Sequence, residues 1–185
     1  WTPHHAAPRE MDRADMERVT AEFVRSTEMA VRCGFDIIEL DAAHGYLIST
    51  FLSPKYNRRT DEYGGSVERR ARLLCDVVRS IRARCGDGLA IIVRLDATEH
   101  ADGGITPELC LAHARLAQAA GADAIHVSAN SPRAVGTGFT DAPLPRLPGQ
   151  YVEDARTVKA GVTLPVIAVG RLMPEQAEDV IAQGR

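Results

Sequence analysis

Residues 90–129 read AIIVRLDATEHADGGITPELCLAHARLAQAAGADAIHVSA. Two short, nearly continuous apolar runs, Ala90–Leu95 and Ala124–Ala129, bracket a helical pattern. Runs of this length suit strands covered on both faces, as in parallel sheets. Thr106-Pro107-Glu108 marks the start of the helix, because proline at the first helical position loses no hydrogen bond. The helix continues through Leu109, His113 and Leu116 to the turn Ala120–Asp123. The segment is therefore a strand–helix–strand unit, the building block of a parallel sheet.

Working outward, Phe35–Leu40 (FDIIEL) and Pro165–Gly170 (PVIAVG) repeat the strand signal. Asp12 can cap a first helix with Met16, Val19, Phe23 and Ala30 along one face, closed by Gly34. Ser66 can cap another that carries Leu73, Leu74, Val77, Val78 and Ile81. Tyr151–Ala160 and Pro174–Gln183 complete the set. The order, a helix followed by four strand–helix repeats, predicts an α/β fold with a parallel sheet. A doubly wound sheet competes with a (β/α)8 TIM barrel. No Gly-x-Gly-x-x-Gly follows a strand, which weakens the first. Polar residues crowd the strand C-termini: Asp41 and His44, Arg94 and Asp96, Ser128 and Asn130, then Arg171. A barrel builds its active site on that rim. Four strands are about half of a barrel, so the expectation is an incomplete segment. Two long connections, Ile48–Ser66 and Ser131–Gln150, are read as functional loops.

The bulk properties exclude some functions. A net charge of −3 over 185 residues gives no reason to expect nucleic acid or an anionic membrane as partner. No apolar run is long enough for a membrane span, and no cleavable signal is visible. Cys33, Cys75, Cys85 and Cys110 form no CxxC pair, so a zinc or iron–sulfur site within these residues is not expected. Buried free thiols are the simpler reading, with a cytoplasmic location. The chain begins with Trp1, which fits a partial sequence.

The stretch 34–72, GFDIIELDAAHGYLISTFLSPKYNRRTDEYGGSVERRAR, closely resembles the signature of the Old Yellow Enzyme and NADH:flavin oxidoreductase family. The elements H-G-Y-L, F-L-S-P, N-R-R-T-D-E-Y-G-G-S and E-x-R-x-R occur in the family's order and spacing. The likeness continues through Val93–Leu95, Asp102–Gly104, Ala120–Asp123 and Pro165–Arg171. By that resemblance, residues 1–185 are the central part of a single FMN-binding TIM-barrel domain, about the fourth to seventh strands, truncated at both ends. The family's FMN takes hydride from NADH or NADPH and passes it to the β-carbon of an activated alkene. A tyrosine protonates the neighbouring carbon.

The resemblance assigns roles residue by residue. Tyr46 falls at the proton-donor position; a phenol is a weak acid that stays protonated at neutral pH yet can protonate a nascent carbanion. Asp41 and His44 fill the pair that hydrogen-bonds the substrate's activating group. The family's usual first member is His, so Asp41 is a departure. A carboxylate repels developing enolate charge, so Asp41 must be protonated, turned to the flavin or His44, or adapted to another substrate. Arg94 matches the arginine beside the flavin pyrimidine, where a fixed cation stabilises the reduced anion. Gly170 and Arg171 match the turn that contacts the FMN phosphate. The run Asn57–Glu62 interleaves basic and acidic residues and is read as a loop-ordering network rather than a nucleic-acid patch.

The expected function is FMN-dependent transfer of hydride from NAD(P)H to an activated C=C bond of an enone or an enoyl or dienoyl thioester. Relatives of the dienoyl-CoA reductase type carry an iron–sulfur cluster and a further flavin domain, both downstream of residue 185. The expected partner is a small-molecule substrate, and exposed strand edges point to a homo-oligomer. Two rivals remain at this point: a non-flavin phosphate-binding barrel lyase, and a catalytically inert barrel fragment. The absence of a lysine at the strand ends argues against Schiff-base chemistry.

Overall fold

The computed structural model describes residues 9–130 and 147–184. Along them run α1 (Arg13–Arg32), β1 (Ile37–Ala42), α2 (Leu47–Leu52), α3 (Val67–Arg70), α4 (Arg72–Cys85) and β2 (Ala90–Asp96). Next come α5 (Pro107–Ala120), β3 (Ala124–Ser128), α6 (Val152–Lys159), β4 (Val166–Ala168) and α7 (Pro174–Ala182). The strands form one parallel sheet in the order β1-β2-β3-β4. Sequence neighbours are thus spatial neighbours, joined by helical crossovers.

The expected helix starts are present. Asp12 accepts from Asp15 N–H, and the Asp15 side chain accepts in return from Asp12 N–H, a reciprocal cap on α1. The Ser66 and Thr106 side chains accept from Arg69 and Leu109 N–H, and Pro107 opens α5. Ser66, however, caps only the short α3, and the residues expected on its helix lie on α4, after a break at Ala71. Gly121, at φ 108, ends α5 in the left-handed conformation that glycine adopts at least cost.

Register explains the core. Leu40 pairs with Val93, Val93 with Ile125 and Ile125 with Val166, so these share one face. That face is buried in one cluster with Leu73, Leu74, Val77, Val78 and Ile81 of α4 and Ala114 and Ala117 of α5. A fully buried Leu or Ile contributes roughly 1.5–3 kcal/mol. The alternate row, Asp41, Arg94, His126 and Ile167, occupies the opposite face.

Here the structure corrects the sequence reading. Apolar runs suggested strands covered on both faces, but burial alternates along β1, β2 and β3. Among the described residues the second face is polar, and Ile37 on it is 54% exposed. Strand limits also move: β1 runs on through Asp41 and Ala42, and β2 includes Asp96.

A further correction concerns the connection expected as a loop at Ile48–Ser66, since α2 occupies its start. The rest of it is ordered by side chains on backbone. Asn57 Nδ2 donates to the carbonyls of Phe51 and Tyr63, each at 2.7 Å. Arg59 pairs with Asp61 and Glu10 and also bonds the Met11 carbonyl. A Cβ on Gly64 would collide with the Arg59 carbonyl oxygen at 2.1 Å, so only glycine fits there. Asn57–Glu62 is thus a loop-ordering network. Most of the other long connection, Ser131–Gln150, lies outside the described residues. Among the cysteines, Cys75 and Cys110 are buried free thiols, Cys85 is half-buried and Cys33 is exposed. Burial pushes the thiols of Cys75 and Cys110 up.

Candidate functional site at the strand C-termini

The parallel register sets Asp41 beside Arg94, and Arg94 beside His126, near the C-terminal ends of β1, β2 and β3. One diagonal contact stitches this row: His126 Nδ1 lies 2.6 Å from Glu39 Oε2. The pair reaches across β2, since Glu39 is on β1 and His126 on β3. It gives a partner to Glu39, one of two acidic residues in the run Phe35–Leu40.

Beyond Ala42 the chain turns sharply. His44 and Gly45 have φ of 62° and 74°, and Tyr46 N–H closes the turn on the Ala43 carbonyl at 3.3 Å. Positive φ at both central positions is the signature of a type I′ turn. Glycine accepts this freely, but a residue with a Cβ is disfavoured by roughly 1–2 kcal/mol. The turn is held from below: His44 N–H donates to Asp96 Oδ2 at 2.8 Å.

Three of the expected site residues meet in this turn. Asp41 Oδ1 accepts from Ala43 N–H at 3.1 Å, and Asp41 Oδ2 stands 3.8 Å from His44 Nδ1. His44 Nε2 lies 2.8 Å from Ser128 Oγ. The imidazole is 6% exposed, whereas the Asp41 carboxyl is 42% exposed. Of the three options left for Asp41, the geometry matches the one turned toward His44. Tyr46 supplies the N-cap position of α2, and at 61% exposure it stands at the rim.

Gly170 and Arg171 follow β4 and also turn sharply, with φ of 116° and 56°. Gly149 N–H donates to the Gly170 carbonyl at 2.7 Å. A Cβ on Gly170 would come within 3.1 Å of the Tyr151 ring, so the turn is closed to larger residues. Next to Gly149, Gln150 Nε2 is buried without an acceptor among the described residues. An amide donor lacking an acceptor, beside a glycine turn and an arginine, fits an anionic oxygen ligand such as the FMN phosphate. Gln150 Nε2 is thus a donor suited to such a ligand. His126 Nε2 is also buried without a hydrogen-bond partner among the described residues, on the polar sheet face.

Sequence reasoning singled out Asp96 and Ser128 only as polar strand ends, and passed over Ser49, Gln150 and Glu99. Glu99 is fully buried; its Oε2 accepts from Ser53 Oγ at 2.6 Å and Ile105 N–H at 2.7 Å. It ties the loop after β2 to the end of α2. An acidic residue beside a glycine pair (Gly103-Gly104) was the available signal.

A parallel sheet in sequential strand order, with α4 and α5 packed on one face and a polar cluster at the strand C-termini, is the arrangement of a barrel segment. The chain belongs to the NADH:flavin oxidoreductase / NADH oxidase family, whose model matches residues 2–185. It is 39% identical over 179 residues to an NADH oxidase of Thermoanaerobacter brockii, covering 96% of this chain and 27% of that protein. It is 36% identical over 181 residues to an NADPH dehydrogenase of Listeria monocytogenes serotype 4a (strain HCC23), covering 97% of this chain and 51% of that one. The chain thus spans about half the length of the Listeria relative and about a quarter of the Thermoanaerobacter one. Among solved structures, a 2-naphthoyl-CoA reductase bound to 2-naphthoyl-CoA aligns with a TM-score of 0.87 and 31% identity. That alignment covers 95% of this chain and 27% of the other. Family membership removes support from the non-flavin lyase reading. Among the described residues no helix is long and apolar enough to cross a membrane.

Proposed function

We propose that the protein is an FMN-dependent oxidoreductase acting on a C=C bond conjugated to a carbonyl or thioester, with this chain as about the fourth to seventh strands of a (β/α)8 barrel. The carrying observation is the turn after β1, which gathers Asp41, His44 and Tyr46 beside the strand that holds Arg94. Relatives named as NADH oxidase and NADPH dehydrogenase support the redox chemistry. FMN, when bound, supplies the hydride that it has accepted from NADH or NADPH.

This chain's residues do the rest. His44, with Asp41 behind it, holds the carbonyl oxygen of the substrate as negative charge grows there. Tyr46 gives its phenolic proton to the carbon next to that carbonyl. Its hydroxyl has no partner among the described residues and is free to face a ligand. Arg94 offsets negative charge on the cofactor ring, and Gly170, Arg171 and Gln150 hold its phosphate. The substrate is a small molecule, and the setting is cytoplasmic, with a homo-oligomer as the working form.

The test is an anaerobic two-step experiment. FMN-loaded protein is reduced with NADPH or NADH, then mixed with a cyclic enone or an enoyl-CoA. The expected result is reoxidation of the flavin absorbance with formation of the saturated product. Reduced protein that oxygen reoxidises and no activated alkene does would overturn the reading.

A further inference from the structure

Two consecutive backbone amides of the site lead to one carboxylate oxygen, the first directly and the second through Ser49. His44 N–H donates to Asp96 Oδ2 at 2.8 Å, and Ser49 Oγ donates to the same oxygen at 3.2 Å. Gly45 N–H in turn donates to Ser49 Oγ at 3.2 Å. The two amides belong to the central pair of the turn, both at positive φ. Asp96 comes from β2, Ser49 from α2 and the turn from the end of β1, so the clamp ties three elements together.

We propose that Asp96, working with Ser49, is a positioning residue that fixes the His44–Tyr46 turn and so sets where the imidazole and the phenol stand. The inference rests on the assignment of those two side chains to the reaction. A carboxyl is a costly way to fill this space. Asp96 is 1% exposed and Ser49 is fully buried. Asp96 Oδ1 is buried with no donor among the described residues. An apolar side chain of similar size would cost the fold less, because an incompletely bonded buried carboxyl forfeits hydration. What the carboxyl provides is an acceptor for the turn.

The surroundings agree with this. Burial pushes the Asp96 carboxyl up to about 7, against the hydrogen bonds from His44 and Ser49, and Glu99 and Asp41 push the same way. The charged or titratable groups around it are Asp41 of β1, His44 just after β1, Glu99 on its own loop, and Cys110 of α5. The grip on the turn therefore tightens as Asp96 ionises, since a charged acceptor bonds an amide more strongly than a neutral one.

The first readout needs no turnover. The His44 amide proton of the FMN-loaded protein is followed by NMR through the neutral pH range. It should shift with a single titration in the wild type and lose that titration in Asp96→Asn. The second readout is kinetic. Asp96→Ala should lower kcat for alkene reduction by about tenfold to a hundredfold, with flavin reduction by NAD(P)H little changed. Asp96→Asn, which keeps an oxygen acceptor, should restore most of the loss. If Asp96→Ala does not fold, Ser49→Ala replaces it, with a several-fold loss expected. A His44 amide that ignores pH in the wild type, or an unchanged kcat in the variant measured, overturns the inference. Wild-type protein that reduces no alkene refutes the proposed function instead, and the amide titration then decides the clamp alone.

Discussion

His44 Nε2 and Ser128 Oγ lie 2.8 Å apart although 84 positions separate them in the chain. His44 follows β1 and Ser128 ends β3, with β2 between them. The contact closes over Asp96, the register partner of Ser128. Asp41 Oδ2 stands 3.8 Å from Nδ1, so each ring nitrogen faces an oxygen. Ser128→Ala should cost about 1–2 kcal/mol of stability, the usual consequence of deleting a buried partner. Denaturant melts of the two proteins measure it. Equal midpoints and slopes would show that the contact contributes nothing.

Tyr46→Phe separates structure from chemistry because the side chain is 61% exposed. Stability should stay within about 0.5 kcal/mol of wild type. Alkene reduction should slow by about 10²–10⁴-fold, the usual contribution of a general acid, with flavin reduction by NAD(P)H intact. Stopped-flow traces in which both half-reactions slow equally would assign Tyr46 a structural role.

What the sequence made legible was local. The four strands, the caps at Asp12, Ser66 and Thr106, and the polar rim are signals carried within a few residues of where they act. The six-residue helix α2 was missed because fewer than two turns cannot display a helical period, and its N-cap Tyr46 makes no side-chain cap bond. Asp96 was seen as a strand end but not as a clamp, because one of its partners is a backbone amide 52 positions earlier. The positive φ of His44 was likewise hidden, since nothing in a histidine announces a left-handed turn. One-sided burial was concealed by Ile37, Ile92 and Ile167, apolar residues on the polar face that made the runs look continuous.

Glu99 offers a stability test away from the proposed chemistry. Glu99→Ala removes the acceptor for Ser53 Oγ and Ile105 N–H, both in buried surroundings. The loss should be about 2–4 kcal/mol, from two unmet donors plus a void. Gly104→Ala should also destabilise, since its Cβ would come 2.7 Å from Glu99 Oε2. Thermal melts of both variants measure this, and an unperturbed Glu99→Ala would contradict the assignment.

Stability should depend on pH through Asp96. Its carboxyl is raised from 3.8 to about 7 in the folded protein, so folding favours the protonated form. That contribution is fully present below pH 3.8 and is lost as pH rises through about 7. Asp96→Asn, which cannot ionise, should therefore gain stability relative to wild type across this interval, by on the order of a few kcal/mol. Melting temperatures of both proteins against pH provide the check. Parallel curves would mean that Asp96 titrates alike folded and unfolded.

The resemblance expects a histidine where Asp41 stands, and the geometry of Asp41 narrows what it does. Oδ1 accepts from Ala43 N–H, which anchors the start of the turn, while Oδ2 is directed toward His44 Nδ1. Asparagine keeps the shape and the Oδ1 acceptor and presents an amide donor in place of Oδ2. An anion facing a developing enolate opposes the reaction, so Asp41→Asn should retain alkene reduction to within about tenfold, or 1.4 kcal/mol. If the carboxylate is instead needed to orient a protonated His44, the loss should exceed that value. The measurement is the pH profile of alkene reduction in the wild type and the variant. Loss of activity at every pH, with FMN still bound, would overturn this reading and show that the Asp41 carboxylate is required.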